Sequence, residues 1–199
     1  MESARTSPYL ASMQFRIEHR IGVAAPAAAV WPVLAELERW GEWNPVYPRA
    51  AGSLSIGGEL RLTERIGGRE EEIAPRIVDW VPDSQILWRR KTGGGLVTAL
   101  RYIELEALSE EGTVFSNGEL YEGMFAGRVI RNRRERRDAF AAMGEAVKAR
   151  AEAAWAALGE EERARVPRNV PPELPDEPPI PQSKFQPPPQ LGGGYFRKR

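Results

Sequence analysis

Residues Arg134 to Leu158, RERRDAFAAMGEAVKARAEAAWAAL, constrain what this chain can fold into more than any other stretch. Phe140, Met143, Val147, Trp155 and Leu158, with Ala151 and Ala154 between them, recur at three- and four-residue steps. That spacing predicts one apolar face of a 3.6-residue helix. Asp138, Glu145, Lys148 and Glu152 fall on the other side, and alanine, the best helix former, fills the remainder. A helix with one apolar face needs a partner. The hundred residues before it read mostly as strands, so the expected partner is an antiparallel sheet that can enclose a cavity against the helix.

The strands follow from alternation. Phe15, Ile17, His19, Ile21 and Val23 share one face of a first strand, with Arg16, Glu18 and Arg20 on the other. Pro26 suits the first turn of a helix carrying Val30, Leu34, Leu37 and Trp40, in which Pro32 should introduce a kink. WGEWNPVYP, residues 40–48, is too rich in proline and glycine for a long element, so a short second helix or a structured corner is expected there. Leu54, Ile56, Leu60 and Leu62 alternate on either side of Gly57-Gly58, a hairpin signal. Further turns at Gly67-Gly68, Pro82-Asp83, Gly93 to Gly95 and Ser109 to Gly112 separate strands carrying Ile73 and Ile77, then Ile86 and Trp88, then ALRYIELEAL and TVFSNGELYEGMF.

Composition sets the domain limits. Ten of the 17 prolines lie at or after position 167. Residues 1–13 are therefore expected to be a flexible lead, 14–160 one domain, and 161–199 a proline-rich disordered tail. With 28 basic and 28 acidic side chains, no net charge draws the whole molecule to nucleic acid. No cysteine is present, which excludes disulfides and thiolate chemistry. There is no signal peptide pattern and no apolar run of about 20 residues, so a cytoplasmic protein without an integral membrane span is expected.

The order strand, helix pair, antiparallel run and long terminal helix resembles the START-like helix-grip fold of the SRPBCC superfamily. VAAPAAAVWPVLAELERWGEWNP, residues 23–45, is similar to the opening of many bacterial members. IAPRIVDWVPDSQILW and AFAAMGEAVKARAE read like the polyketide cyclase/dehydrase and lipid-transport branch. The resemblance implies an α+β fold in which a seven-stranded antiparallel sheet wraps the C-terminal helix, with one or two short helices between the first two strands. It also implies an internal, mainly apolar ligand cavity. By alternation the lining would include Phe15, Ile17, His19, Trp88, Ile103, Leu105, Phe115 and Tyr121, with Phe140 and Met143 from the helix and Trp40 or Trp43 at the mouth.

Polar residues that share the parity of apolar ones narrow the search. Asn117 and Glu119 lie on the face of Phe115 and Tyr121, Arg101 on that of Ile103, and His19 between Ile17 and Ile21. An Arg101–Glu119 pair with Asn117 and His19 beside it would satisfy these groups and could orient the polar head of a guest. A structural ion pair is the alternative. A carrier or sensor of a hydrophobic small molecule or lipid is the leading expectation. An aromatase/cyclase using the same polar cluster comes second, and an interaction protein acting through the tail and the arginines comes third. One histidine and no cysteine leave no histidine-rich or thiolate metal site, and no cofactor is expected. Arg128, Arg131, Arg133, Arg134, Arg136 and Arg137 read as a solvated helix entrance, with peripheral contact to anionic headgroups left open. Glu70 to Glu72 reads as a soluble strand end.

Overall fold

The computed structural model describes residues 15–123 and 132–170. The expectations for the N-terminal lead, for the tail beyond Val170, and for Arg128 and Arg131 fall outside those residues. Eight strands and three helices follow in order. They are β1 (Phe15–Val23), α1 (Ala27–Ala35), a 3-10 turn (Leu37–Glu42), β2 (Arg49–Gly52), β3 (Leu60–Ile66), β4 (Arg69–Ile73), β5 (Arg76–Val81), β6 (Gln85–Thr92), β7 (Val97–Ser109), β8 (Gly112–Glu122), α2 (Arg133–Ala157) and α3 (Glu160–Arg165). All strand pairs are antiparallel. This is the α+β helix-grip arrangement, with short helices after β1 and a long helix packed on the sheet.

The expected single seven-stranded sheet is instead a five-stranded sheet, β1-β8-β7-β6-β5, and a three-stranded one, β2-β3-β4. A single bridge, Glu59 to Arg76, and backbone bonds such as Leu60 N to Pro75 O join the two. The count differs because the four residues RAAG form β2, too short and too small-sided to show alternation. Leu54 and Ile56, read as a strand, lie in the loop that follows, and Ile56 is 72% exposed.

Inner-face residues meet across the five-stranded sheet in rows. Ile17, Glu119, Arg101, Trp88 and Ile77 form one row; His19, Asn117, Ile103 and Ile86 form the next. The alternation read from the sequence therefore assigned the faces correctly. The helix covers this face with Phe140, Met143, Gly144, Val147, Ala151 and Trp155. Ala154, expected on the same stripe, is exposed. Gly144 is required where α2 crosses β1, because a β-carbon there would stand 2.7 Å from His19 Nδ1. Pro32 sits inside α1 without ending it, and Glu36 N still reaches Pro32 O at 3.2 Å.

Residues 161–170, read as the start of the tail, belong to the folded body. Glu160–Arg165 is a helix, and Arg163 and Arg168 flank the Trp155 ring. Asn169 donates to Ser109 O and Gly112 O and accepts from Ala27 N. The proline-based reading missed this segment because its order comes from long-range hydrogen bonds and has no apolar periodicity.

Candidate functional site

Polar groups converge where the first turns of α2 pass between the two sheets. Glu119 lies on the inner face of β8 because it shares parity with Phe115 and Tyr121, and it is 1% exposed. Its carboxylate accepts from Arg136 Nη1 of α2 at 2.9 Å and from the Tyr121 hydroxyl at 2.5 Å, with Arg90 Nη2 of β6 at 3.7 Å. Glu64, on the inner face of β3 with Leu60, Leu62 and Ile66, accepts from the same two arginines, Arg90 at 3.0 Å and Arg136 at 3.1 Å. The four charges alternate around a ring, Arg90–Glu64–Arg136–Glu119, that ties both sheets to the helix.

The expected Arg101–Glu119 pair does not form, although the two residues face each other across β7 and β8. The Glu119 carboxylate is taken up by Arg136 and Tyr121, and Arg101 turns to neutral acceptors. Its Nη1 donates to Tyr102 O at 2.7 Å and Gly118 O at 2.9 Å. Its Nη2 donates to Asn117 Oδ1 at 2.9 Å, and Nε reaches the Tyr47 hydroxyl at 3.3 Å. The guanidinium lies 4.1 Å from the Phe140 ring centre and 5.6 Å from that of Trp88. Asn117 also donates to Phe140 O, so the sheet and α2 share this group.

Burial and charge oppose each other throughout. Burial alone would raise the Glu64 carboxyl, but Arg90 and then Arg136 outweigh it and hold it below the ordinary carboxylate range. Burial works against the charge of Arg136, yet Glu119 and Glu64 keep it firmly cationic. Burial pushes Tyr47 up to about 12, and burial together with the Glu119 charge raises Tyr121. Both phenols are thus held protonated, Tyr121 donating to Glu119 and Tyr47 accepting from Arg101.

Of the residues singled out from sequence, Arg101, Asn117, Glu119, Tyr121, Trp88, Phe140 and Met143 meet in this region. Ile17, Ile103, Leu105 and Phe115 are buried on the same sheet face. His19 is half-buried beneath Gly144 and away from the ring, and its Nδ1 has no hydrogen-bond partner. Phe15 is half-buried under the Arg133 guanidinium, 3.8 Å from the ring centre. Trp40 is fully buried, donating to Leu34 O and packing on Tyr47, so it is core and does not close a mouth. Trp43 at its edge is half-exposed.

Sequence reasoning missed Tyr47, Glu64, Arg90 and Arg136. Arg136, read as part of a solvated entrance, is nearly buried because it supplies the countercharge for both glutamates. Arg134 and Arg137 are exposed, as that reading required. Glu70 and Glu72 are also exposed, paired with Arg65 and Arg49. A surface cleft of about 470 Å³ between β4 and β5–β6, lined by Glu71, Ile73, Arg76 and Arg89, reaches inward to Arg90. Among the described residues no three histidine, aspartate or glutamate side chains converge on a metal site, and no helix is long and apolar enough to cross a membrane.

Residues 14–163 match the family described as polyketide cyclase/dehydrase and lipid transport. The chain belongs to this family. Solved structures agree on its fold. The ZhuI aromatase/cyclase of Streptomyces sp. R1128 is 21% identical, with a TM-score of 0.56 over 70% of this chain and 94% of that one. A START superfamily protein of Mycobacterium smegmatis is 16% identical, with the same TM-score over 69% and 97%. Norcoclaurine synthase of Thalictrum flavum, solved with dopamine and hydroxybenzaldehyde, is 15% identical at 0.56, over 75% and 91%. No curated protein matches the chain in sequence. The family name spans both ring-forming enzymes and lipid carriers, and at these identities the neighbours establish the architecture alone.

Proposed function

We propose that the protein binds a hydrophobic small molecule or lipid between the five-stranded sheet and α2, as a carrier or sensor. The polar groups beneath the first turns of α2 hold the guest's polar end. The observation that carries this reading is the placement of Arg101, Asn117 and Tyr47 among Trp88, Phe140, Ile103 and Met143. A core built for stability alone gains nothing from such groups, since apolar side chains of equal volume are often as stable or more so. A mostly apolar site with a few convergent polar groups is the usual form of a small-molecule pocket. Native mass spectrometry and organic extraction of the purified full chain test this. A co-purifying apolar compound, or saturable one-to-one binding of decanol with shifts at Met143 and Trp88, is expected. Absence of both would reject it.

A ring-forming enzyme of the aromatase/cyclase type is the second reading, favoured by one feature. Tyr47 is held protonated and, among the described residues, its hydrogen has no acceptor, so one phenol is available to donate to a carbonyl of a folded polyketide. Turnover of a poly-β-ketone thioester, lost on Tyr47→Phe, would place the enzyme first. Turnover that survives Tyr47→Phe, or none at all, would reject it.

A further inference from the structure

Among the described residues the buried charges beneath α2 do not sum to zero. Arg90 and Arg136 are balanced by the buried Glu64 and Glu119, with the exposed Glu71 3.8 Å from Arg90, which leaves Arg101, 2% exposed, as a buried cation with no carboxylate within salt-bridge distance. Among the described residues its acceptors are all neutral: two backbone carbonyls, Asn117, Tyr47 and the sulfur of Met143. A buried charge in this position favours any guest that brings the missing countercharge.

The bond lengths indicate where that countercharge would sit. Nη1 is fixed by its two short bonds to the carbonyls of Tyr102 and Gly118. On the opposite edge Nη2 has one short bond, to Asn117 Oδ1 at 2.9 Å, and the remaining contacts of Nε and Nη2 are looser. Nε reaches Tyr47 only at 3.3 Å, and the second Nη2 contact is Met143 Sδ at 3.5 Å, a weak acceptor. This is the side-on edge that a carboxylate bridges with two parallel bonds. The Tyr47 hydroxyl accepts from Nε, and among the described residues its own hydrogen has no acceptor. One Nε hydrogen and one Nη2 contact are therefore met only by a phenol oxygen at 3.3 Å and a thioether at 3.5 Å, with the Tyr47 hydroxyl hydrogen beside them. The Phe140 and Trp88 rings beside the guanidinium hold its plane and offer apolar walls. Met143, unbranched and adaptable, is the side chain best able to yield to an entering group.

We infer that the Nε–Nη2 edge of Arg101 and the Tyr47 hydroxyl form a head-group site for a singly charged carboxylate on an apolar guest. This inference rests on the binding reading above and adds the chemical class of the ligand. A monoanion brings the buried charge to zero, whereas a phosphate monoester overshoots it and does not match the planar fork.

Titration of the full chain with decanoate, decanol and decyl phosphate at about pH 8, where decanoate is ionised, tests this. Decanoate is expected to bind about 10- to 100-fold more tightly than decanol, the range of a charge-assisted hydrogen bond. Decyl phosphate should bind more weakly than decanoate. Tyr47→Phe keeps the ring and should reduce decanoate affinity about tenfold, a larger loss than it causes for decanol. Arg101→Met should remove the preference for decanoate, and the wild-type ligand series stands even if that variant does not fold. Equal affinity for decanoate and decanol would overturn this inference and leave the apolar-binding reading intact. Tighter binding of decyl phosphate would also overturn it and would point to the surface cleft at Arg76 and Arg89. Binding of none of the three would remove both readings together.

Discussion

Glu119→Gln is the substitution that tests the ionic ring most directly. It keeps the shape of the side chain and deletes one of two buried negative charges. Arg136 at 2.9 Å loses its partner, Arg90 at 3.7 Å loses part of its field, and Glu64 remains as the only buried acid of the ring. With Arg101, three cations then face one buried carboxylate and the exposed Glu71, 3.8 Å from Arg90. Removing one partner of a buried pair typically costs about 3–5 kcal/mol, a large part of a domain's total stability of about 5–15 kcal/mol. Urea unfolding at neutral pH, followed by tryptophan fluorescence, should show the midpoint falling with the slope unchanged. Arg136→Met in the same chain removes a charge of the opposite sign and leaves the Arg90–Glu64 pair at 3.0 Å. The double variant should be more stable than the sum of the single effects predicts, by about 1–3 kcal/mol. A loss of about 0.5 kcal/mol or less for Glu119→Gln, the scale of an exposed ion pair, would refute the ring as a buried structural unit.

Three further perturbations have outcomes fixed by the geometry. Gly144→Ala should cost about 1–3 kcal/mol through overpacking against His19, whereas in a His19→Ala background it should stabilise α2 by up to about 1 kcal/mol. Thermal unfolding of the four variants checks this, and stabilisation by Gly144→Ala alone would contradict it. Glu64 titrates below its ordinary value when folded, so its contribution is complete above the unfolded pKa of about 4.3 and is lost as pH falls through the folded value. Urea midpoints between about pH 3 and 6 should therefore fall less steeply for Glu64→Gln than for wild type, and equal slopes would refute the assignment. Asn169→Ala removes bonds to Ser109 O, Gly112 O, Thr113 Oγ1 and Ala27 N and should cost about 1–3 kcal/mol. Hydrogen exchange should accelerate at Ala27 and at position 169, and unchanged protection there would show that segment 161–170 is not held by this side chain.

The fold was legible because its two periodicities are strong. Period two in β1, β7 and β8 assigned their inner faces, and the three-and-four spacing of Phe140, Met143, Val147, Ala151 and Trp155 gave the buried stripe of α2. The site was legible only in part. Asn117, Glu119 and Arg101 were found as polar residues on apolar parity. The same signal was available for Glu64, two residues from Leu62 and Ile66, and for Arg90, two from Trp88. Arg136 lies four residues before Phe140 and seven before Met143, so it shares their face, but the surrounding arginines gave it the appearance of surface. Which acid pairs with which base is not written in local spacing. Cross-strand neighbours such as Arg101 and Glu119 are close in the backbone yet bond elsewhere, because α2 delivers a competing guanidinium from distant sequence.

That competition also bears on how α2 finds its place. Its buried face repeats at three- and four-residue steps, and such a face can slide by a turn along a sheet and keep part of its apolar contact. Arg136 cannot slide with it. A one-turn shift of about 5.4 Å would carry the guanidinium away from both Glu119 and Glu64 and strand three charges out of water. The Gly144–His19 contact limits rotation in the same way, since any other helix residue at that crossing brings a β-carbon into the ring. Arg136→Met with Glu64→Gln and Glu119→Gln should therefore remain helical while losing a unique register. The expected signs are an unchanged far-ultraviolet spectrum, multiple amide resonances for Gly144, and weakened contacts between Gly144 and His19. A single sharp Gly144 resonance with its His19 contact intact would show that apolar packing alone sets the register.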